Sequence, residues 1–400
     1  MAEPPEQPTF VVAGNAIRLL DTGPRRMQAL LDLIGGAQQT LRVLYYIYED
    51  DEAGRAVGAA LIAAATRGVQ VSLIVDGLGS EPAARAHFFA PLEAAGIEVC
   101  RFIPRYGRKY LLRNHQKLAL ADESRVIIGG FNIKADYFGV PDAAGEAWRD
   151  LGLHLDGPAA GRLARYFDAL ARWSRNERAP VRTLARVLRR YSEAEGEVRW
   201  LMGGPARRLS PWARAIRREI RAAAIAGERI DLIAAYFAPG PSMLRRLRRA
   251  ARRGVVNVVL PAVTDNYMAI WASRFTYAGL LRRGVRIWEY QATKLHTKLV
   301  AIGGVVHIGS ANFDIRSLFL NLELMLRIEN PAFTAHVRAY VDGEIADSRR
   351  ITREDHRAAM TLWTRLKQAA AYAVMAVIDP QISRRLIAWG ERRRPQRSDR

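Results

Sequence analysis

His115-Gln-Lys117-Leu-Ala-Leu-Ala-Asp122, continuing to Ile127-Ile-Gly129-Gly130-Phe-Asn132, and His296-Thr-Lys298-Leu-Val-Ala-Ile302, continuing to His307-Ile-Gly309-Ser310-Ala-Asn312, are two versions of one pattern 181 residues apart. Each sets a histidine and a lysine two residues apart, ahead of an apolar run and a glycine turn. In a strand, residues two apart project from the same face, so His115 pairs with Lys117 and His296 with Lys298. Composition sets the lysines apart: of 61 basic residues six are Lys, and two of those six lie in these motifs. A chain that writes Arg almost everywhere keeps a compact ammonium at both places.

The duplication extends beyond the motifs. Arg42-Val-Leu-Tyr-Tyr-Ile-Tyr48 reads as a buried strand, Leu61-Ile-Ala-Ala-Ala as the end of a helix, and Thr66-Arg-Gly-Val-Gln-Val-Ser-Leu-Ile-Val75 as a turn and strand. The order repeats in Ile230-Asp-Leu-Ile-Ala-Ala-Tyr-Phe237, Met243-Leu-Arg-Arg-Leu-Arg-Arg-Ala-Ala251 and Arg253-Gly-Val-Val-Asn-Val-Val-Leu260. Helix, glycine, then a β-branched run marks strand-helix-strand units with a largely buried sheet. The expected fold class is therefore α/β, with two duplicated lobes packed face to face around one shared active site. The expected divisions are a first lobe over 1–157, a helical connector over 158–196, a second lobe over 197–330, and a C-terminal helical region with a basic tail over 331–400.

This residue set suits a phosphodiester. Lys117 and Lys298 can stabilise charge building on the phosphoryl oxygens, and Asn132, Ser310 and Asn312, each beside a glycine turn, can add neutral donors. Two imidazoles divide the remaining labour, one attacking phosphorus and the other shuttling the proton of the departing and arriving alcohols. The scheme calls for no metal and no cofactor. His154 and His307 read as structural.

These motifs resemble the phospholipase D superfamily, and within it the bacterial cardiolipin synthase group. The likeness includes Trp148-Arg149-Asp150, Tyr236-Phe-Ala-Pro239, Leu260-Pro-Ala-Val-Thr-Asp265, Gly309-Ser-Ala-Asn-Phe-Asp314 and Asn321-Leu-Glu323, and runs from about residue 40 to 330. It implies phospholipase D-like lobes, with His115 and His296 as nucleophile and acid/base. It also implies Asp150, 35 residues beyond His115, and Glu323, 27 beyond His296, as carboxylates that orient the histidine of the opposite half. Asp122 completes the first motif and joins the catalytic set by resemblance, although its odd offset from His115 places it off the His/Lys face as a turn-fixing residue. The second copy departs from the pattern: Gly303-Gly304 stands where the family has Asp, and His-to-Asn spacing is 16 rather than 17. A looser turn is expected there.

A formal charge of +21, from 61 basic and 40 acidic residues, points to a polyanionic partner. The resemblance selects an anionic phospholipid membrane, with phosphatidylglycerol as substrate and cardiolipin as product, over nucleic acid. Hydrolysis of phospholipids to phosphatidic acid, or nuclease activity, are the alternatives within the superfamily. Cys100 is the one cysteine, so neither a disulfide framework nor a cysteine metal site forms within the chain. The acidic, proline-rich N-terminus lacks a secretion signal, which suggests a cytoplasmic protein on the periphery of the inner membrane. Ala369-Ala-Ala-Tyr-Ala-Val-Met-Ala-Val-Ile378 is too short to span a bilayer; with Asp379–Trp389 and the Arg-rich tail it reads either as an interfacial helix or as a helix packed on the second lobe. Oligomeric state is not legible.

Overall fold

The computed structural model describes residues 6–103, 112–139, 147–176, 179–206 and 209–378. The first lobe's principal strands are β1 (Asn15–Leu20), β2 (Thr40–Tyr45), β3 (Gln70–Asp76), β4 (Glu98–Phe102), β5 (Leu118–Ala121), β6 (Arg125–Gly129) and β7 (Gly152–Asp156). The second lobe's are β8 (Val198–Gly203), β9 (Ile230–Ile233), β10 (Val256–Pro261), β11 (Arg286–Tyr290), β12 (Leu299–Ile302), β13 (Val305–Gly309), β14 (Glu323–Glu329) and β15 (Ser348–Ile351). The helices that matter below are α1 (Gly23–Gly35), α2 (Ala160–Arg175), α3 (Tyr267–Leu281), α4 (Pro331–Ala346) and α5 (Leu362–Ala373).

The first sheet runs β1-β7-β6-β5-β2-β3-β4, with the short strand Phe10–Val12 outside β1; the second runs β8-β14-β13-β12-β9-β10-β11-β15. Over seven strands the two orders coincide, and so do the directions; each sheet adds its eighth strand at the opposite edge. The pairs β2/β3/β4 and β9/β10/β11 are parallel, while β5 and β12 join them antiparallel. The duplication seen in sequence is thus a duplication of topology.

Alternation along the strands explains why the motif segments are apolar on both faces. From β5, Leu118 and Leu120 enter the same central cluster as Leu299 and Ala301 of β12, while Ala119 and Ala121 enter the first lobe's own outer core. Val300 and Ile302 of β12 likewise face the second lobe's outer core. The central cluster is continuous across both sheets and includes Phe167 of α2 and Val337 of α4. Burial on both faces leaves no polar position to fill.

Two boundaries differ from expectation. The second sheet does not end near residue 330, because β15 adds antiparallel to β11 and α4 packs into the central core. The expected connector contains α2, which occupies in the first half the place that α4 occupies in the second. Asp379–Trp389 and the Arg-rich tail lie outside the described residues.

Candidate active site

The His-x-Lys segments are not strands of either sheet but extended lead-ins to them, with pairing in the sheets starting at Leu118 and Leu299. Their backbones pair instead with the other half. His115 N donates to Leu322 O at 2.9 Å, and Leu322 N to Arg113 O at 2.8 Å. Lys294–Leu295 pairs parallel with Trp148–Arg149, and His296 N donates to Arg149 O at 2.7 Å. Each motif is therefore hydrogen-bonded to the segment that, one residue later, supplies the opposite half's carboxylate.

That pairing delivers Asp150 and Glu323 to the histidines. Asp150 Oδ2 lies 2.6 Å from His296 Nδ1, and Glu323 Oε2 lies 3.1 Å from His115 Nδ1. A carboxylate on Nδ1 fixes the tautomer and leaves Nε2 as the reactive nitrogen. The two dyads differ. Ser310 O also lies 3.1 Å from His115 Nδ1, whereas His296 is edged by the rings of Tyr137 and Trp148, each 5.2 Å away. His115 has 12% of its side chain exposed and His296 6%. Burial pulls His296 down to about 3, with the Lys298 charge acting in the same direction against Asp150. Burial also lowers His115, opposed by Glu323.

Lys117 and Lys298 are buried between these dyads. Each ammonium donates back to its own motif histidine's carbonyl, Lys117 at 2.7 Å, and those carbonyls are free for it because the lead-ins stand outside the sheet ladders. Burial pulls Lys117 down to about 7, with Glu323 opposing and Lys298 assisting, and pulls Lys298 down to about 8, opposed by Asp150 and Glu323. The middle residue of each motif points the other way. Gln116 Nε2 donates to the Tyr166 hydroxyl on α2 at 2.7 Å, and Thr297 Oγ1 lies 3.2 Å from the Tyr340 hydroxyl on α4. A glycine is required at 130, where a Cβ would stand 2.4 Å from Asp150 Oδ1 and 2.9 Å from Lys298 Cδ.

The other expected site residues fall into three groups. Asn132 and Asn312 flank the site with their Oδ1 atoms accepting from Ile47 N at 3.2 Å and Tyr236 N at 3.3 Å, which leaves their amide nitrogens as donors. The Ser310 hydroxyl is not a free phosphate donor: it donates to Glu323 Oε2 at 2.5 Å and accepts from Leu324 N at 3.0 Å, and so braces the His115 carboxylate. Asp122 lies outside the site, which corrects its place in the catalytic set. At φ +50°, its carboxylate accepts from the backbone N–H groups of Gln38, Gln39 and Thr40 and from Arg125. This ties the β5–β6 turn to the start of β2, and those hydrogen bonds hold the carboxyl below its usual range although burial pushes the other way.

The second-lobe turn is not looser. Ile302 pairs with Val305, so Gly303-Gly304 forms a two-residue hairpin, for which Gly303 supplies φ +54°. The backbone bond that Asp122 N makes to Thr40 O at 3.0 Å reappears as Gly303 N to Arg229 O at 3.2 Å, and the Glu228 carboxylate lies where a Cβ on residue 303 would stand. Structural roles fit the remaining histidines: buried His307 bonds through Nε2 to Glu219, and His154 lies on β7.

Several residues at the site escaped sequence reading. Arg26, fully buried on α1, donates to Tyr137 O at 2.7 Å and to Asp150 O, and so anchors the main chain that carries one dyad. Asp76, at the end of β3, accepts from Asn114 N at 2.9 Å and holds the first lead-in. Tyr46 packs 5.0 Å from the His115 ring with the Lys117 ammonium over its face at 5.2 Å. Burial raises Asp314 to about 6; its carboxylate caps the short helix Ile315–Phe319. Tyr166 and Tyr340 had a usable signal, since overlaying the halves sets them in equivalent helices. Arg26 had none in a chain so rich in arginine.

Comparison with known proteins places the chain. A family described as "Cardiolipin synthase, PLD-like domain" matches residues 30–170 and 216–344. Cardiolipin synthase A of Yersinia pseudotuberculosis serotype O:1b (strain IP 31758) is 30% identical over 345 residues, covering 84% of this chain and 70% of that protein. The fold is similar to that of phosphatidylserine synthase from Haemophilus influenzae Rd KW20, with a TM-score of 0.64 and 13% identity over 96% of this chain and 95% of that one. It is also similar to polyphosphate kinase from Porphyromonas gingivalis, with a TM-score of 0.54 and 16% identity over 89% of this chain and 56% of that one. With the family matched across both halves, the chain belongs to the cardiolipin synthases with a phospholipase D-like domain, a family of phosphatidyltransferases.

Proposed function

We propose that this enzyme makes cardiolipin by moving a phosphatidyl group from one phosphatidylglycerol molecule to the hydroxyl of another through a phosphohistidine. The observation that carries the reading is the pair of crossed carboxylate–histidine dyads with two buried lysines between them. One imidazole Nε2 attacks phosphorus, the P–O bond to glycerol breaks, and the second imidazole gives that oxygen its proton. The second imidazole then takes the proton of the incoming hydroxyl, the new P–O bond forms, and the P–N bond breaks to free the first. Protons balance over the cycle, and glycerol is the co-product.

His115, the more exposed ring, suits the nucleophile; His296, held at 2.6 Å by Asp150, suits the acid/base because that bond strengthens when the ring carries a proton. Burial depresses His296 most and the lysines add to it; a phosphodiester anion seated on the lysines cancels their share and raises the imidazole toward protonation. The substrate thereby prepares its own acid. An anionic membrane as the working surface is consistent with the net charge of +21, and no helix among the described residues is long and apolar enough to cross a membrane.

The test is lipid mass spectrometry on purified protein with phosphatidylglycerol vesicles, for the wild type and for His115→Ala and His296→Ala. Cardiolipin and free glycerol from the wild type alone are the expected result. Phosphatidic acid would show water to be the acceptor, and no lipid product would overturn the reading.

A further inference from the structure

We propose that the joint outer face of α3 and α5 is the surface by which this protein docks on an anionic phospholipid bilayer. The inference rests on the lipid-transfer reading and adds where the enzyme meets its substrate. Twelve large hydrophobic side chains are exposed among the described residues, and seven of them lie on these two helices, with Val374 directly after α5. An apolar patch so concentrated marks an interaction surface, since scattered exposure is the ordinary case.

The helices show why. α3 is apolar on nearly every side: Ala269, Ala272, Tyr277 and Leu280 turn inward, while Tyr267, Trp271 and Phe275, spaced by four residues, turn outward with Tyr267 66% exposed. On α5, Leu362, Leu366 and Trp363 face outward, with Leu362 at 76% and Trp363 at 66%. The Lys367 ammonium sits 5.7 Å from the Trp271 ring and 5.5 Å from the Trp363 ring, joining the two helices at the surface. Exposed aromatic and aliphatic rows edged by cations are what an interfacial helix presents to headgroups and acyl chains.

Charge complementarity selects an anionic surface as the occupant. Beside the patch, between α3, α5 and the short helix Arg353–Ala358, lies a cavity of about 510 Å³ lined by Phe275, Leu281, Met360 and Leu366. Arg282, Arg357 and Arg365 rim it, and none of the three forms an ion pair among the described residues. An apolar floor under unpaired guanidinium groups fits an acyl chain below a lipid phosphate.

The face is also coupled to the site. The Tyr372 hydroxyl donates to Pro239 O at 2.8 Å, and Tyr372 packs in one cluster with Ala238. Ala238 pairs with Asp314, two residues beyond Asn312. A bilayer under α3 and α5 is thus one helix layer from the phosphate-handling residues.

The test uses the full chain, a flotation assay, and vesicles of phosphatidylglycerol mixed with phosphatidylcholine or of phosphatidylcholine alone. We expect Trp271→Ala combined with Trp363→Ala to weaken binding to the anionic vesicles by about tenfold or more. Arg357→Glu combined with Arg365→Glu should abolish the preference for anionic vesicles. Both variants should turn over monomeric dihexanoyl-phosphatidylglycerol within about twofold of wild type, since no residue of the dyads is touched. Vesicle binding unchanged in both variants would overturn the inference. So would a lipid-free wild type that sediments as a dimer while the tryptophan variant is a monomer that still floats, because the face would then join two copies. If the wild type floats but does not process the short-chain lipid, the transfer reading fails and the docking surface stands.

Discussion

Asp150→Asn probes the crossed dyads most directly. The substitution keeps the side chain's size and removes its charge, leaving His296 Nδ1 against an amide in place of a carboxylate 2.6 Å away. When His296 carries the proton during transfer, carboxylate and imidazolium are opposite charges centred about 4 Å apart. At an effective dielectric near 20 their attraction is worth about 4 kcal/mol. Lost from the transition state, that corresponds to a kcat roughly a thousandfold lower. KM should move little, since Lys117 and Lys298, the proposed holders of the phosphate, remain. Glu323→Gln should cost less, about a hundredfold, because Ser310 O still lies 3.1 Å from His115 Nδ1 and preserves the tautomer. The assay is cardiolipin formation under saturating phosphatidylglycerol near pH 6.5, where Lys298 stays protonated, alongside thermal melts to show that both variants fold. A loss below tenfold for a folded Asp150→Asn, or a greater loss for Glu323→Gln, would refute the argument.

The lysines set opposite trends in activity and stability. With Lys117 drawn down to about 7 and Lys298 to about 8 by burial, kcat/KM should fall as pH rises from about 6 to 9, since it reports protonation of the free enzyme. Unfolded lysines hold their protons to about pH 10.4, so between about 7 and 10 the unfolded state binds more protons and stability should rise with pH. A flat kcat/KM profile, or a melting temperature that falls over this window, would count against the assignment. Asp122→Ala should lower stability by about 1 kcal/mol through the lost hydrogen bonds to the N–H groups of Gln38, Gln39 and Thr40, and leave kcat within about twofold. Urea titration and initial rates check this, and a tenfold loss of kcat in the folded variant would return Asp122 to the chemistry.

Much of the architecture was legible because the chain states it twice. Overlaying Arg42–Tyr48 on Ile230–Phe237, and one glycine-punctuated run on the other, yields the same strand-helix-strand units in two lobes; the strand order within each sheet is a finding of the structure. The histidines, lysines and two carboxylates could be listed from spacing and family likeness. Contact across the duplication came from the family likeness alone, not from the residues themselves. Asp150 and His296 are 146 residues apart, and nothing local to either shows that Trp148–Arg149 pairs with Lys294–Leu295. The extended character of the His-x-Lys segments was read as strand because period-two projection cannot distinguish a ladder from a lead-in. Ser310 was taken for a phosphate donor because a hydroxyl beside a glycine turn shows no partner in sequence, and Glu323 claims it. The outer row of α3 was hidden by its own inner face, for a helix apolar on both sides reads as core.

The hairpin at Gly303-Gly304 sets a held residue, Gly303, beside an open one, Gly304, at the end of its lobe away from the chemistry. It lies at the far end of β12 from Lys298, about 13 Å along a four-residue strand from the functional atoms. A Cβ at Gly304 would meet nothing within 4 Å. The length of this turn therefore records the history of the duplication and not its chemistry. A small label inserted at Gly304 would ride on the enzyme as a passenger, giving a handle on the second lobe that leaves turnover undisturbed.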